Sequence, residues 1–78
     1  MPISPELAEE LNILARYKLT SIQEGIKVHN TAAPGTIAAI KRLHDKNLVT
    51  RDDGGYLTDL GIETAEHVQK ALTILTSK

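Results

Sequence analysis

Residues 36–61 of the chain, TIAAIKRLHDKNLVTRDDGGYLTDLG, decide the fold. Apolar residues recur at helical spacing in the first half, and Pro34 suits the first position of a helix, where its missing N–H costs nothing. The helix is expected to end at Asn47, since asparagine tolerates the left-handed conformation. Short strands are predicted at 48–51 and 56–58, joined by a turn containing Asp-Gly, which favours a hairpin. The stretch therefore predicts a helix followed by a two-stranded β-hairpin.

The predicted helix over about 34–46 has two faces, because successive side chains are rotated by about 100°. Its inner, apolar face is formed by Thr36, Ile37, Ile40 and Leu43. Its outer face is formed by Pro34, Gly35, Ala38, Lys41, Arg42 and Asp45. The inner face is expected to pack in the domain and the outer face to meet solvent or a partner.

Two further helices are predicted before this stretch. Ser4 and Pro5 mark the start of the first, as its N-cap and its first helical residue. This helix is expected to end near Tyr17, a core residue. Its acidic residues lie near the positive end of the helix dipole and are expected to face outward; they are Glu6, Glu9 and Glu10.

The second helix is predicted to begin at a capping box and to end at Asn30. Two boxes fit the sequence, Thr20 with Gln23 or Ser21 with Glu24. Gly25 inside this helix costs about 1 kcal/mol relative to alanine, and a close crossing with another helix would explain it. The residues expected to share one face are Ile22, Ile26 and His29.

A last helix of about 15 residues is predicted from Thr58 or Asp59 onward. The apolar stripe expected to pack on the domain is Ala65, Val68, Leu72 and Leu75. Three apolar residues beside it would remain partly uncovered: Ile62, Ala71 and Ile74. An apolar flank on a terminal helix suits a homodimer interface, and the alternative is a monomer with a frayed tail.

Composition excludes several classes of protein. The 78 residues allow a single domain over 1–78, and the absence of cysteine excludes disulfides and cysteine-based zinc sites. His29, His44 and His67 lie in different predicted helices, so no metal and no other cofactor is expected. No phosphate-binding glycine loop or nucleophile motif is present, which argues against an enzyme. Without an apolar run of ~18 residues or a signal pattern, we expect a cytoplasmic protein with no membrane contact.

Charge is distributed unevenly along the chain, although the net charge is only −1. Residues 16–51 carry seven Lys or Arg residues against two acids, a net charge of +5. The segments 1–15 and 52–78 each carry a net charge of −3. A basic middle between acidic ends indicates an anionic partner for the middle segment.

The order helix, helix, helix, hairpin, helix is that of a winged helix-turn-helix. Three segments resemble the recognition-helix-to-wing region of MarR- and PadR-like bacterial regulators: Arg42-Leu43, Asn47-Leu48-Val49 and Leu57-Thr58-Asp59-Leu60-Gly61. Asn47 stands where those regulators usually have glycine. The resemblance implies a mainly α fold of three helices, a two-stranded wing and a long C-terminal helix. It also implies a recognition helix that enters the DNA major groove, and dimerisation through the terminal helices.

The whole chain also resembles a short family of uncharacterised bacterial proteins. The shared stretches are QEGIKVH at 23–29 and DGGYLTDLG at 53–61. This second resemblance implies no function.

The outer face of the predicted recognition helix supplies candidate DNA contacts. Lys41 and Arg42 would face the major groove, because both cations bind phosphates and arginine can also pair with guanine through two hydrogen bonds. Ala38 beside them would allow close approach to the bases. Phosphate contacts are expected from Lys27, Lys46 and Arg51. For the lysines and arginines on these helices, an ordinary solvated surface is the alternative.

Asp52 and Asp53 at the tip of the wing argue against DNA contact there, because carboxylates near phosphates weaken binding. Tyr56 is expected to be a packing residue, with base stacking as the alternative. We predict a protein that binds double-stranded DNA, a small transcriptional regulator or accessory factor. The alternative is a protein-interaction module, a homodimer or an adaptor, that does not bind DNA.

Overall fold

The computed structural model describes residues 3–20 and 25–77. Within them the chain is mainly helical, with a small three-stranded antiparallel sheet. The elements in chain order are α1 (Pro5–Arg16), β1 (Ile26–Lys27), α2 (Pro34–Asp45), β2 (Val49–Arg51), β3 (Gly54–Leu57) and α3 (Asp59–Thr76).

The first helix begins as the sequence predicts. The Ser4 hydroxyl accepts a hydrogen bond from the Leu7 N–H at 3.1 Å, and Pro5 occupies the first turn. The prediction that all its acids face outward is wrong for Glu10, which is buried against α2. A helical stripe running from Leu7 to Leu14 passes through position 10, so the spacing already indicated an inward side chain.

The predicted second helix is wrong for residues 25–30. Ile26 and Lys27 form β1, paired with Gly55 and Gly54 of β3. Here the backbones approach so closely that a Cβ at Gly25 would lie 2.7 Å from the Gly55 carbonyl oxygen. Gly25 therefore allows two extended segments to approach each other, whereas the sequence predicted that it allows two helices to cross. The proposed face residue Ile22 and the capping residues Ser21, Gln23 and Glu24 lie outside the described residues.

The predicted hairpin is present, with a tighter connection and a third strand. Strands β2 and β3 are joined through Asp52 and Asp53, and the sheet order is β1-β3-β2. Gly54 and Gly55 have φ angles of 125° and 73°, which a side chain would strain. Asn47, between α2 and β2, has φ 63°, the left-handed conformation expected of it.

The core lies between α1, α2, the inner side of the sheet and the first half of α3. Ile40 and Leu43 are buried as predicted, whereas Thr36 and Ile37 are only half-buried and Ala39 takes their place. The buried apolar residues are Ile13, Leu14, Tyr17, Val28, Ala39, Ile40, Leu43, Leu48, Val49 and Ala65.

The second half of the last helix is mostly exposed. Its N-cap is Thr58, whose hydroxyl accepts from the Gly61 N–H at 3.0 Å. Ala65 is buried, but Leu72 and Leu75 are 39% and 79% exposed, so the prediction that they pack on the domain is wrong. The reason is that Gln69 of α3 already lies at the C-terminal end of α1, bonded to the carbonyls of Leu14 and Tyr17, so the residues after it extend past α1.

Candidate nucleic-acid interface

Three of the six predicted DNA contacts lie together. Lys27 of β1, Lys41 of α2 and Arg51 of β2 are exposed, and we call them the basic edge. Lys27 and Lys41 line one groove of about 430 Å³, and Lys27 and Arg51 line a second of about 330 Å³. None of the three has an ion-pair partner among residues 3–20 and 25–77. Cations from three separate elements thus border two grooves that share Lys27.

The larger groove has an apolar floor and an acidic rim. Val28, Ile37 and Ile40 contribute apolar side chains, and Asp52 and Asp53 line the groove together with the lysines. The Val28 N–H donates to the Asp53 carbonyl oxygen at 2.7 Å, which ties the turn to the segment after β1. The acids therefore remain at this rim and limit how closely a phosphate can approach the turn.

Arg42 and Lys46, two further predicted contacts, turn toward α1. Arg42 Nε donates to Glu10 Oε2 at 3.0 Å, and its Nη2 donates to the Glu6 carbonyl oxygen at 3.0 Å. Lys46 Nζ donates to Glu10 Oε1. Glu10 is only 5% exposed, so its carboxylate holds both cations against the helix interface. The structure does not bring them together with the basic edge.

The ionisation of Glu10 follows from these partners. Burial raises the pKa of its carboxyl, but the hydrogen bonds and charges of Lys46 and Arg42 outweigh burial and hold the pKa below its usual value. Glu10 is therefore a carboxylate at neutral pH. It compensates part of the positive charge that the sequence places on α2.

Ala38, the remaining predicted contact, is exposed on α2. Gly35, one turn earlier, is also exposed, and the atom nearest to an added Cβ there is Glu9 Cδ at 3.9 Å. This part of α2 therefore presents backbone with little side-chain cover. Lys41 follows it on the same surface of the helix.

The outer side of the sheet carries an exposed aromatic ring. Tyr56 of β3 is 51% exposed, contrary to the expectation that it is a packing residue. Its ring lies beside Gly25, where an added Cβ would be 3.4 Å from Tyr56 Cε1. Tyr17 is buried as predicted, and burial raises its pKa to about 12.

A model of a family of unknown function, DUF5669, matches residues 1–76. The chain belongs to DUF5669. No curated protein and no solved structure matches it. The predicted membership of an uncharacterised family is confirmed.

The predicted dimer residues of this DUF5669 chain differ in exposure. Ile62 is half-buried, whereas Ala71 and Ile74 are exposed. Together with Leu72 and Leu75 they form what we call the apolar end of α3: Ala71, Leu72, Ile74 and Leu75. Sequence reasoning missed the two leucines because they continue the stripe of Ala65 and Val68. Only the packing shows that Gln69 of α3 already lies at the end of α1, so the residues after it extend past α1.

The described part of the chain holds neither a metal-binding cluster nor a membrane-spanning helix. Residues 3–20 and 25–77 contain no group of three metal-ligating side chains placed to hold an ion. No helix in the same ranges is long and apolar enough to cross a membrane.

Proposed function

We propose that this chain binds double-stranded DNA through α2 and the basic edge, as a small winged-helix transcriptional regulator or accessory factor. The observation that carries the proposal is the convergence of Lys27, Lys41 and Arg51, exposed and without ion-pair partners among the described residues. Unpaired cations that border a groove are what phosphate contacts require, since each phosphate contact releases a condensed counterion.

The roles that we propose for the cations differ from those expected from the sequence. Lys41 would contact the DNA from α2, next to the small residue Ala38, while Lys27 and Arg51 would contact the backbone from the sheet. Arg42 and Lys46 are engaged by Glu10, and their proposed role is to fix α2 on α1. The acidic turn at Asp52 would stay away from the phosphates.

Fluorescence anisotropy of a labelled mixed-sequence duplex tests this proposal. With three phosphate contacts, the logarithm of the affinity should fall with the logarithm of salt concentration with a slope of about −2.7. Binding between about 50 and about 200 mM salt should then weaken about 40-fold.

Matched charge variants locate the contact. Lys41→Gln/Arg51→Gln should lose most of the binding and flatten the salt slope. Arg16→Gln/Lys70→Gln removes the same charge from exposed positions on α1 and α3 and should bind like the wild type. Absence of binding at about 10⁻⁴ M protein and low salt contradicts the proposal, as does equal loss in both variants.

A second candidate function, self-association, is favoured by the apolar end of α3. Leu72, Ile74 and Leu75 are exposed on the last two turns of a continuous helix. Residues 68–77 contain a single charged side chain, Lys70, so two copies of this end can pack together with little charge repulsion. We propose that the second copy of the chain covers it, which would place two basic edges in one dimer.

Sedimentation equilibrium tests self-association. The wild type should show a concentration-dependent dimer between about 10 µM and about 1 mM, a range typical of weak interfaces. Leu72→Lys/Leu75→Glu should remain a folded monomer, and Glu63→Gln should behave like the wild type. A wild type that stays monomeric throughout this range contradicts the dimer and leaves DNA binding unaffected.

A further inference from the structure

The outer side of the sheet combines an aromatic ring with flanking cations. Tyr56 lies on β3, the central strand, and Lys27 and Arg51 lie on the strands at either side of it. These three residues line the groove of about 330 Å³, together with Gly25, Ile26, Asp53 and Gly55. The volume is near the lower end for small-molecule sites and suits a single base.

The exposure of Tyr56 is a consequence of the glycines around it. Gly25 provides no side chain to cover the ring, and a Cβ there would also meet the Gly55 carbonyl. The chain contains two tyrosines and no other large aromatic residue. One tyrosine is buried in the core, while the other, Tyr56, is left half exposed.

The backbone beneath the ring is held in place. The Tyr56 N–H donates to Thr50 Oγ1 at 3.0 Å, and the Tyr17 hydroxyl donates to the Gly55 carbonyl oxygen at 3.2 Å. A ring on a fixed strand loses little freedom when a ligand stacks on it, which favours binding.

We propose that this face binds an unpaired base of single-stranded nucleic acid, stacked on Tyr56, with the neighbouring phosphates at Lys27 and Arg51. An aromatic ring beside cations is the arrangement that proteins use for single strands, because every base has a π face. A base inside a duplex is already stacked on both sides and is not accessible to the ring. This proposal rests on the proposed function, because each requires that the chain bind nucleic acid. It adds that the ligand at the sheet is a single strand.

Asp53 sets the orientation of the strand. Asp53 borders the same groove, so a phosphate is disfavoured beside its carboxylate. The strand would then run with its phosphates toward Lys27 and Arg51 and with its base over the ring.

The test uses a labelled oligothymidine of about ten nucleotides and a blunt duplex of the same length, each titrated with the full chain. Tyr56→Leu should weaken binding of the single strand by about 5- to 150-fold, the range for loss of one stacked base. It should leave duplex binding and the circular dichroism spectrum unchanged. Leu60→Ala, at another half-exposed apolar position, is the matched control and should bind like the wild type.

A spectroscopic readout separates stacking from general attraction. Tyr56→Trp should retain binding, and its indole emission should be quenched by the single strand and not by the duplex. Unchanged binding of the single strand by Tyr56→Leu overturns the stacking site while duplex binding stands. If the wild-type chain binds the single strand but not the duplex, the proposed function is overturned and the stacking site stands. If the wild-type chain binds neither ligand, the proposed function and the stacking site are both overturned.

Discussion

Arg42 Nε donates to Glu10 Oε2 at 3.0 Å across the contact between α2 and α1. The partners are 32 positions apart in the chain, and Lys46 binds the other oxygen of the same carboxylate. A buried acid thus fixes two residues whose position in the sequence pointed to DNA. Of the five cationic residues predicted to contact DNA, the three that Glu10 does not engage are those of the basic edge.

Glu10→Gln is expected to lower the free energy of unfolding at pH 7 by about 1–3 kcal/mol, because two charge-assisted hydrogen bonds are weakened. The pKa of Glu10 is depressed in the folded state, so its contribution is complete above its usual value of 4.5 and is lost as pH falls through the folded-state pKa. Urea unfolding at several pH values should show the difference between variant and wild type shrinking in acid. Glu63→Gln, exposed on α3, should show no such trend, and a constant difference would contradict the role of Glu10.

Gly61→Ala is expected to destabilise the chain by about 3 kcal/mol, because the added Cβ would lie 1.9 Å from the Leu48 carbonyl oxygen and force α3 away from the chain before β2. Gly35→Ala is the matched control, since the nearest atom to its Cβ is 3.9 Å away and alanine favours helix. Thermal unfolding of both variants is the measurement. If the two variants are equally stable, the contact between position 61 and the Leu48 carbonyl does not exclude a Cβ.

Tyr17→Phe is expected to cost about 0.5–1.5 kcal/mol through loss of the hydrogen bond to the Gly55 carbonyl. Burial raises the pKa of Tyr17 from 10.0 to about 12, so its contribution is complete below pH 10 and is lost as pH rises toward 12. Unfolding measured between pH 8 and pH 12 should show an alkaline loss in the wild type that is smaller in Tyr17→Phe. Tyr56→Phe should retain the full alkaline loss.

Gln69→Leu is expected to destabilise the chain by about 1–3 kcal/mol, because Nε2 of Gln69 donates to the carbonyl oxygens of Leu14 and Tyr17 at 3.1 and 2.7 Å. These are carbonyls at the end of α1 that have lost their helical partners. His67→Ala, exposed on the same helix, should change stability little. Chemical denaturation compares the two variants. If Gln69→Leu leaves the free energy of unfolding unchanged, water satisfies the two carbonyls in place of the amide.

Local signals were sufficient for most of the second half of the fold. Pro34, Asn47 and Thr58 act through their own backbone or nearest neighbours, so the bounds of α2 and the start of α3 could be predicted. Strand β1 could not, because a two-residue strand exists only through its pairing with Gly54 and Gly55. The local pattern around Gly25 fits a helix equally well, and the distant strand decides between the two.

The candidate site was predictable in part for the same reason. The spacing on α2 correctly placed Lys41 and Ala38 on the exposed surface. It could not show that Arg42 is drawn aside, because that depends on how α1 packs against α2. The exposure of Tyr56 likewise depends on the missing side chain of Gly25 in a neighbouring segment.

Tyr17 is tied at both of its ends. Its main-chain carbonyl accepts from Gln69 of α3, and its hydroxyl donates to Gly55 of β3. Tyr17 therefore connects α3, whose C-terminal end is apolar, to β3, the strand that carries Tyr56. Any displacement of α3 must either pull on the sheet or break one of these two hydrogen bonds. Tyr17→Phe removes the hydrogen bond to Gly55, and with it this connection, but changes neither the apolar end of α3 nor the groove beside Tyr56.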